Sequence, residues 1–461
     1  MNEIRSSHST RFAAAGMLAG ALAGIVTVTL ASTALAHLVV QPSAKPLLEA
    51  THHPPLLTAR DEQIALRYDV YCASSEAEVD TPCAADGTVF ARAGDSGAFQ
   101  AIAVRDERAS GGRFMTLLPE SIARAPGGFS YYAVFRSKET AMVTTLPAGG
   151  AAAPQQSLPL GRTIDVALGV HAFGNQRDAN ERVAEAAWGA GSGEAGLEQG
   201  RNLTPIGGSS FDVEEDGSVV VLDEANKRLL RWRGNGNAPD AVPLAINGTL
   251  ADMSVGNDGT VYVLETTGVH GSKALLRSFD RDGAARSTTA VPEGPSQVRV
   301  GPDGPVVLQS SSAQWMPAAR DGRPVEVSGQ ITAAESGRPL PDGRRIVILR
   351  SGNEVRVAVV GSAGVQRAWL VKSETPFAEV QLAEPHGAGV VLVTRVFTDE
   401  RDEFVVLVLD RRGVVQRFSL DSADWAETAA LSRFRLRGSS LYQLGSTSAG
   451  LFVDRFDLEV R

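Results

Sequence analysis

Apolar and polar residues follow a repeating pattern along the second half of the chain, and residues 211–232 show it most clearly. Phe211 and Val213 alternate with polar residues, as in a strand with one buried face. A turn is predicted at Gly217, because glycine adopts positive φ without steric cost. The unbroken apolar run at residues 219–222 then predicts a strand buried on both faces. We therefore expect this sheet to be packed between other sheets.

The same pattern recurs at a nearly constant interval. Each copy has a glycine turn followed by an apolar run, and the turn glycines are Gly217, Gly259, Gly304, Gly343, Gly387 and Gly438. The intervals between them are 42, 45, 39, 44 and 51 residues. Such a period is typical of a β-propeller, in which each blade buries its faces against its neighbours. We predict an all-β chain whose residues 182–461 form a six-bladed propeller, and the long last interval leaves seven blades open.

Residues 60–147 show shorter strands separated by turn residues. Strands are predicted at residues 64–72, 88–92, 98–104, 113–118, 129–136 and 141–146. Their length and spacing favour a small β-sandwich. Phe129, Tyr131 and Phe135 fall on one face of their strand. This strand resembles a late strand of fibronectin type III and immunoglobulin-like modules, which implies a module that spaces or docks.

A tether is predicted before this module. Residues 37–59 contain four prolines and little periodicity, which favours an extended segment. The adjacent His52 and His53 are expected to be incidental there, because a tether cannot fix the remaining ligands of a metal.

A linker is predicted after the module, over residues 148–181, which begin with a stretch rich in alanine, glycine and proline. Two alternatives are open where it ends. Residues 178–187 fit a short helix, and residues 182–188 fit an outer propeller strand that closes the ring.

Residues 1–36 have the pattern of a targeting segment. Arg5 and Arg11 precede an uncharged stretch that ends in Ala-Leu-Ala. The stretch is longer than the usual signal core of about 7–15 residues and long enough to span a bilayer as a helix. A cleaved signal peptide and a retained membrane anchor are both open, and either places the rest of the chain outside the cytoplasm.

The chain has two cysteines, Cys72 and Cys83. Export to an oxidising compartment favours a disulfide between them. In the chain-entropy description, such a short closed loop contributes about 2–3 kcal/mol of stability. The alternative, a metal site, would need further ligands, and none lies nearby in the sequence.

The charge of the chain narrows the classes of partner. The formal net charge is −9. Nucleic acids and anionic membranes bind basic surfaces, so neither is expected as the main partner. Any membrane contact is expected through the N-terminal segment alone.

Residues 188–232 carry a family resemblance. In order they contain Trp188 followed by glycine, spaced glycines, a proline, the alternating strand, an Asp-Gly turn, an apolar run, Asn-Lys-Arg and Trp232. This order resembles the NHL repeat, continues in weaker form over residues 252–279 and thins out beyond Gly304. The resemblance implies a propeller, commonly with six blades, of a kind found in secreted enzymes and in binding scaffolds. It implies no particular reaction.

Catalytic motifs are scarce. The sequence has no G-x-S-x-G elbow and no H-E-x-x-H pair, so we expect no catalytic residue and no cofactor. The alternative is a metal-dependent hydrolase, similar to six-bladed lactonases, that holds one divalent cation near the propeller axis. Its candidate ligands are Asp223, Glu265 and Gln309 at the ends of apolar strands. Against this alternative, Asp223 is expected to brace its own turn, by accepting hydrogen bonds from the turn at Asn226 and pairing with Arg228.

The ends of the apolar strands also predict a binding face. They carry Asp223, Glu265, Gln309, Arg350 and Arg395 in successive copies, with acids early and arginines late. If these positions share one face of the ring, that face suits a protein or peptide with charges of both signs. The leading prediction is an extracytoplasmic binding or scaffold protein with a protein or peptide partner at the cell envelope.

Tryptophans recur along the propeller, at Trp188, Trp232, Trp315, Trp369 and Trp425. Packing between blades is their expected role, and a stacking platform for a ligand is the alternative.

Overall fold

The computed structural model describes most of the chain beyond residue 46. The described residues are 47–59, 61–73, 81–82, 84–107, 112–200, 204–234, 238–247, 251–265, 274–291, 295–309, 313–320, 323–324, 335–426 and 432–459. The predicted targeting segment at residues 1–36 lies outside them. Within these ranges, no helix has the length and apolar character needed to cross a membrane.

The first eleven strands form two sheets. They are β1 (Leu47–His52), β2 (Leu57–Thr58), β3 (Ala65–Ala73), β4 (Thr81–Pro82), β5 (Ala85–Ala93), β6 (Gln100–Ala103), β7 (Arg105–Asp106), β8 (Arg113–Leu117), β9 (Phe129–Ser137), β10 (Val143–Leu146) and β11 (Gln155–Pro159). A short helix, α1 (Glu120–Ala123), lies between β8 and β9, and a 3₁₀ turn (Gly150–Ala152) precedes β11. The strand orders are β1-β3-β8-β7, with β4 beside β3, and β2-β11-β9-β5-β6, with β10 beside β9.

Side chains from both sheets meet in one hydrophobic cluster. Phe129, Tyr131 and Phe135 of β9 are all buried in it, as their alternation predicts. The Phe135 ring lies 5.1 Å from that of Tyr68 in β3 and 5.4 Å from that of Phe114 in β8. This N-terminal module therefore has a core of its own.

The boundaries of this module differ from those predicted. β1 and β2 lie inside residues 37–59, where the sequence predicts a tether, and β1 pairs with β3 along its whole length. β11 lies inside the predicted linker at residues 148–181 and pairs with both β9 and β2. The predicted range 60–147 is too short at both ends, because these outer strands are ordered by partners distant in the sequence.

Cys72 lies in β3, where its backbone is paired with Leu48 on one side and with Thr81 on the other. Cys83 lies outside the described residues. The disulfide between the two cysteines therefore stays a prediction.

The remaining strands build a propeller. Two of them precede the repeats, β12 (Thr163–Ala167) and β13 (Glu181–Ala187). Blade 1 is β14 (Ser210–Val213), β15 (Val219–Asp223), β16 (Arg228–Trp232) and β17 (Asp240–Pro243), and blade 2 is β18 (Ala251–Val255), β19 (Val261–Glu265), β20 (Leu275–Phe279) and β21 (Ala285–Ala290). Blade 3 is β22 (Pro295–Gly301), β23 (Gly304–Gln309) and β24 (Gln314–Pro317), then a small hairpin of β25 (Ala319–Arg320) and β26 (Arg323–Pro324), and finally β27 (Glu335–Ser336).

The second half of the ring has the longer strands. Blade 4 is β28 (Arg338–Pro339), β29 (Arg345–Ser351), β30 (Glu354–Gly361) and β31 (Gly364–Lys372), with β12 as a fifth strand. Blade 5 is β32 (Phe377–His386), β33 (Gly389–Phe397), β34 (Asp402–Asp410) and β35 (Gly413–Asp421). Blade 6 is β36 (Phe434–Arg437), β37 (Ser440–Thr447) and β38 (Gly450–Asp457), with β13 as its fourth strand.

The described strands confirm a six-bladed propeller. The first strands of neighbouring blades meet near the centre, since β14 contacts β18 and β36, β18 contacts β22, and β32 contacts β36. Each of the six turn glycines predicted to be equivalent stands at the turn between the first and second strands of its blade. All six have positive φ, from 54° to 124°. The alternative with seven blades is not needed.

The ring is closed by strands from before the repeats. β13 pairs antiparallel with β38, so the outer-strand alternative is correct and the helix alternative is wrong. β12 pairs in parallel with β31 of blade 4. The connection between them, residues 168–180, crosses the outside of blade 5, and we call it the belt. β12, the belt and β13 thus hold three successive blades together.

Candidate functional site

Buried polar contacts join the blades at the centre of the ring. Asp252, in the first strand of blade 2, is fully buried and accepts four hydrogen bonds. Arg299 Nη1 and the Val298 amide donate to its Oδ2 at 2.7 and 2.8 Å. The hydroxyls of Ser210 and Ser432 donate to its Oδ1, both at 2.7 Å. These four donors offset the cost of burying a carboxylate.

Two arginines extend these contacts across the ring. Arg299 Nη2 donates to Ser432 Oγ at 3.1 Å, and this bond crosses the centre because blades 3 and 6 stand opposite each other. Arg435 Nη2 donates to the Met253 carbonyl at 3.0 Å, and its Nε lies 3.3 Å from Asp212 Oδ1. Burial lowers the pKa of the Arg435 guanidinium, and the nearby charge of Arg299 lowers it further.

Each blade contributes one charged side chain from its first strand to this axial cluster. Arg338 of blade 4 pairs with Glu384 of blade 5 at 2.5 Å, and the complete set is Asp212, Asp252, Arg299, Arg338, Glu384 and Arg435. The axial cluster thus contains three acids and three arginines. A ligand that bound to one of these carboxylates would separate it from its arginine, at a cost of about 3–5 kcal/mol. The axial cluster is therefore suited to holding the blades together.

Asp223, the first candidate metal ligand, braces its own turn. It ends the second strand of blade 1 and is 1% exposed. Its Oδ2 accepts from Arg228 Nε at 2.8 Å and from Asn226 Nδ2 at 2.9 Å, and its Oδ1 accepts from the Gly196 amide at 3.0 Å. These are the contacts that the turn-brace interpretation of the sequence expects.

Glu265 and Gln309, the other candidate ligands, end the second strands of blades 2 and 3. Glu265 is buried and pairs with Arg277 Nε at 2.6 Å. The three candidates thus lie one strand away from the axis, and two of them are held by arginines. In the described part of the chain, no group of three or more histidine, cysteine, aspartate or glutamate side chains is arranged to hold a metal ion. The predicted cation site does not fit this arrangement.

The five residues of the predicted binding face do lie on one face of the ring, but their charges are not arranged as predicted. All five strand-end residues lie on the face of the ring where the second strands end, which we call the strand-end face. Its acids are internal, as shown above. Arg350 is exposed and donates to the Phe377 carbonyl at 3.0 Å, while Arg395 pairs with Asp402 at 2.5 Å. A negative side opposite a positive side does not form, because the acids are buried against arginines.

Aromatic side chains distinguish the strand-end face instead. Trp188 leaves the outer strand of blade 6, and Trp425 lies in the connection between blades 5 and 6, with ring centroids 6.2 Å apart. Trp425 is 40% exposed, and Phe397, at the end of the second strand of blade 5, is 39% exposed. Because all three lie on the strand-end face, we refer to them together as the aromatic patch.

The aromatic patch is held in place by polar contacts beneath it. Trp188 Nε1 donates to the Thr447 carbonyl at 2.9 Å. The backbone amide of Trp425 donates to Ser446 Oγ at 3.2 Å, and Ser446 in turn donates to Asp424, which pairs with Arg433. The Trp188 ring and the Trp425 backbone are thus held in place, and aromatic groups that are ordered before binding lose little conformational entropy on it.

No protein-family model matches the chain, and no curated protein matches it. Solved structures do match. Virginiamycin B lyase from Staphylococcus aureus has 11% identity and a TM-score of 0.34, covering 55% of this chain and 96% of that one. YCF48 bound to D1 peptide has 11% identity and a TM-score of 0.32, covering 63% and 98%. BamB from Moraxella catarrhalis has 12% identity and a TM-score of 0.26, covering 61% and 98%.

These three matches are β-propeller proteins, as this chain is. At such identities and TM-scores they carry no argument about its ligand or reaction. The resemblance to the NHL repeat stays a prediction, because no family model matches.

Sequence reasoning missed the aromatic patch although it noted the tryptophans. Trp232, Trp315 and Trp369 are buried, in agreement with their expected role in packing. Trp188 and Trp425 differ from them because they stand in connections between blades rather than within strands. That placement is the signal in the sequence that separates the two groups.

Proposed function

We propose that this protein is an extracytoplasmic binding scaffold that holds a protein or peptide partner on the strand-end face of its propeller. The aromatic patch carries this proposal. Exposed tryptophan and phenylalanine side chains are enriched at the centres of protein interfaces, where a few of them supply most of the binding free energy. The partner is expected to cover Trp425 and Phe397.

The surroundings of the aromatic patch support a protein or peptide as the partner. On the same face, Arg350 is exposed, and Arg395 is half-buried and paired with Asp402. Charged groups around an apolar centre are the usual arrangement of a protein interface. They favour correct orientation of the partner more than they raise its affinity.

The extracytoplasmic location rests on the sequence. Arg5 and Arg11 stand before the long uncharged stretch that ends at residue 36, and this order directs export of the residues beyond it. Secretion after cleavage and anchoring by a single N-terminal helix both leave the propeller outside the cytoplasm. The partner is accordingly sought in the cell envelope.

The test compares partner recovery by two immobilised full-length variants. In the first, Trp425→Ala and Phe397→Ala are combined. In the second, Val414→Ala changes a side chain of similar exposure, 41%, at the opposite end of blade 5. Both are first matched to the wild type in thermal unfolding and then incubated with an extract of the native envelope.

We expect the amount of the main recovered protein to fall roughly tenfold or more with the double variant, since one interface hot spot is worth at least about 2 kcal/mol. The Val414→Ala variant should recover wild-type amounts. Equal recovery by the double variant and the wild type would show that the aromatic patch is not the binding surface.

A further inference from the structure

A groove lies where the N-terminal module meets blade 4, on a part of the molecule separate from the strand-end face. Its walls are the loop after α1, the end of β11 and the first residues of β31, and its volume is about 480 Å³. Ligand sites in proteins commonly have volumes of roughly 300–1,000 Å³ and lie between domains. We call it the junction groove, and its lining includes Pro126, Leu158, Pro159, Arg162, Ala363 and Arg367.

The two walls of the junction groove are fixed to each other. Arg356 of blade 4 donates to the Leu57 carbonyl at 2.9 Å and pairs with Glu62 at 2.5 Å. Gln155 of the module donates to Ser336 of the propeller at 3.1 Å. A hydrophobic cluster formed by residues of the N-terminal module and of blade 4 lies beside these bonds. The groove is therefore preformed, and a ligand need not order it on binding.

The lining combines apolar surface with positive charge. Leu158, Pro159 and Val365 are half-buried and supply apolar contacts. Arg162 is exposed, and the Arg367 guanidinium lies over the Trp369 ring, 5.9 Å from its centroid. Among the described residues, no carboxylate forms an ion pair with either of these two guanidinium groups.

Several other arginines of blade 4 form ion pairs. Arg356 pairs with Glu62 and Glu354, and Arg344 pairs with Asp342. The junction groove therefore brings together two guanidinium groups that pair with no carboxylate of the described residues, in a chain whose net charge is −9. Guanidinium groups bind carboxylates through paired hydrogen bonds, so the groove is complementary to a carboxylate joined to an apolar body.

We propose that the junction groove binds the C-terminal end of an extended apolar peptide, with its carboxylate between Arg162 and Arg367. The open shape of the groove suits a chain that continues into solvent. The space beside Gly364 in the wall is open, since a Cβ built there meets no protein atom within 4 Å. The apolar side chains of the peptide would lie against Leu158 and Pro159.

The probes for this proposal are fluorescein-labelled tetrapeptides of apolar residues, prepared as pairs that end in a free carboxylate or in an amide. Binding to the full chain is measured by fluorescence polarisation up to 1 mM probe. We expect at least one free-acid peptide to bind, and to bind at least tenfold more tightly than its amide.

Two variants test the groove itself. Arg162→Ala combined with Arg367→Ala should abolish the preference for the free acid, and Ala363→Trp, at an exposed position of the wall, should weaken binding of both forms. Arg411→Ala is the matched control, because it removes the same charge from an exposed turn of blade 5 outside the groove. It should leave binding unchanged.

Three results would overturn the proposal: no binding of any peptide, equal binding of acids and amides, or equal weakening by Arg411→Ala and the double variant. Equal weakening would show that the peptide carboxylate is attracted to any exposed positive charge of the protein. The combined Trp425→Ala and Phe397→Ala variant should leave peptide binding in the junction groove unchanged. The proposals for the junction groove and for the aromatic patch are therefore tested independently.

Discussion

His52 shows how far the role of one residue can depend on partners distant in the sequence. The sequence places it in a tether beside His53, but the structure buries it in the core of the N-terminal module. Its Nδ1 lies 2.6 Å from the Arg67 carbonyl, and its Nε2 lies 2.7 Å from the Tyr131 hydroxyl. Its ring stacks on that of Tyr68 with centroids 4.4 Å apart. Burial lowers the pKa of His52 to about 4.

This pKa predicts an acid-sensitive module. The unfolded chain protonates His52 near pH 6.5, whereas the folded protein keeps it neutral until about pH 4. The stability that neutral His52 gives the folded protein is fully present above pH 6.5, and it is lost as the pH falls from 6.5 to about 4. The free energy of unfolding should decrease by about 3 kcal/mol, at 1.36 kcal/mol per pKa unit. Urea unfolding between pH 4 and pH 7.5 measures the decrease.

His52→Gln should flatten this pH dependence, although it also lowers stability at neutral pH. His53→Gln changes the exposed neighbour and should retain the wild-type slope. If the slope is the same with and without His52, its burial in neutral form is not the cause.

Residue contacts are predictable from sequence when the partners are close in it. Asp223 and Arg228 are five positions apart in one repeat, so the turn brace can be seen in the sequence. Asp252 and Ser432 are 180 positions apart and meet only because the ring closes. The axial cluster could not be predicted for this reason, and its members are not the only polar residues in the first strands.

At the scale of elements, the belt is the feature that the sequence describes least well. The buried side chain of Glu403, in blade 5, accepts hydrogen bonds from the belt. Its Oε2 accepts from His171 Nε2 at 2.9 Å, and its Oε1 accepts from the Gly174 amide at 2.6 Å. Arg417 donates to the Leu168 carbonyl at 2.9 Å. Residues 168–177 have no apolar periodicity, and polar side chains from blade 5 order them instead.

Glu403→Ala should therefore release the belt. The buried donors that face Glu403 would lose their acceptor, at a cost of about 1–3 kcal/mol for each group left unsatisfied. Amide hydrogen exchange at Gly174 and its neighbours in the belt should become faster, and the free energy of unfolding should fall by about 3 kcal/mol. Exchange measured by mass spectrometry reports the first effect, and urea unfolding the second.

Glu400→Ala is the control for this variant. Glu400 lies three residues away in the exposed turn before β34, and its replacement should change neither measurement. Wild-type exchange in the belt of the Glu403→Ala variant would mean that this carboxylate does not hold it.

The propeller is predictable from the periodicity of the whole sequence. The six glycine turns repeat a local requirement for positive φ, so each can be recognised by itself in the sequence. The domain boundaries could not be predicted in the same way. β11, β12 and β13 have short, weakly patterned sequences, and each is ordered by a strand from another part of the chain.

Site-specific photocrosslinking in the native cells can locate the partner that we propose binds on the aromatic patch. A benzophenone amino acid is placed at position 425, or at position 414 on the opposite end of blade 5. We predict a discrete crosslinked adduct from position 425 and none from position 414. An adduct from position 414 with none from position 425 would contradict the claim and place the partner on the other face of the ring.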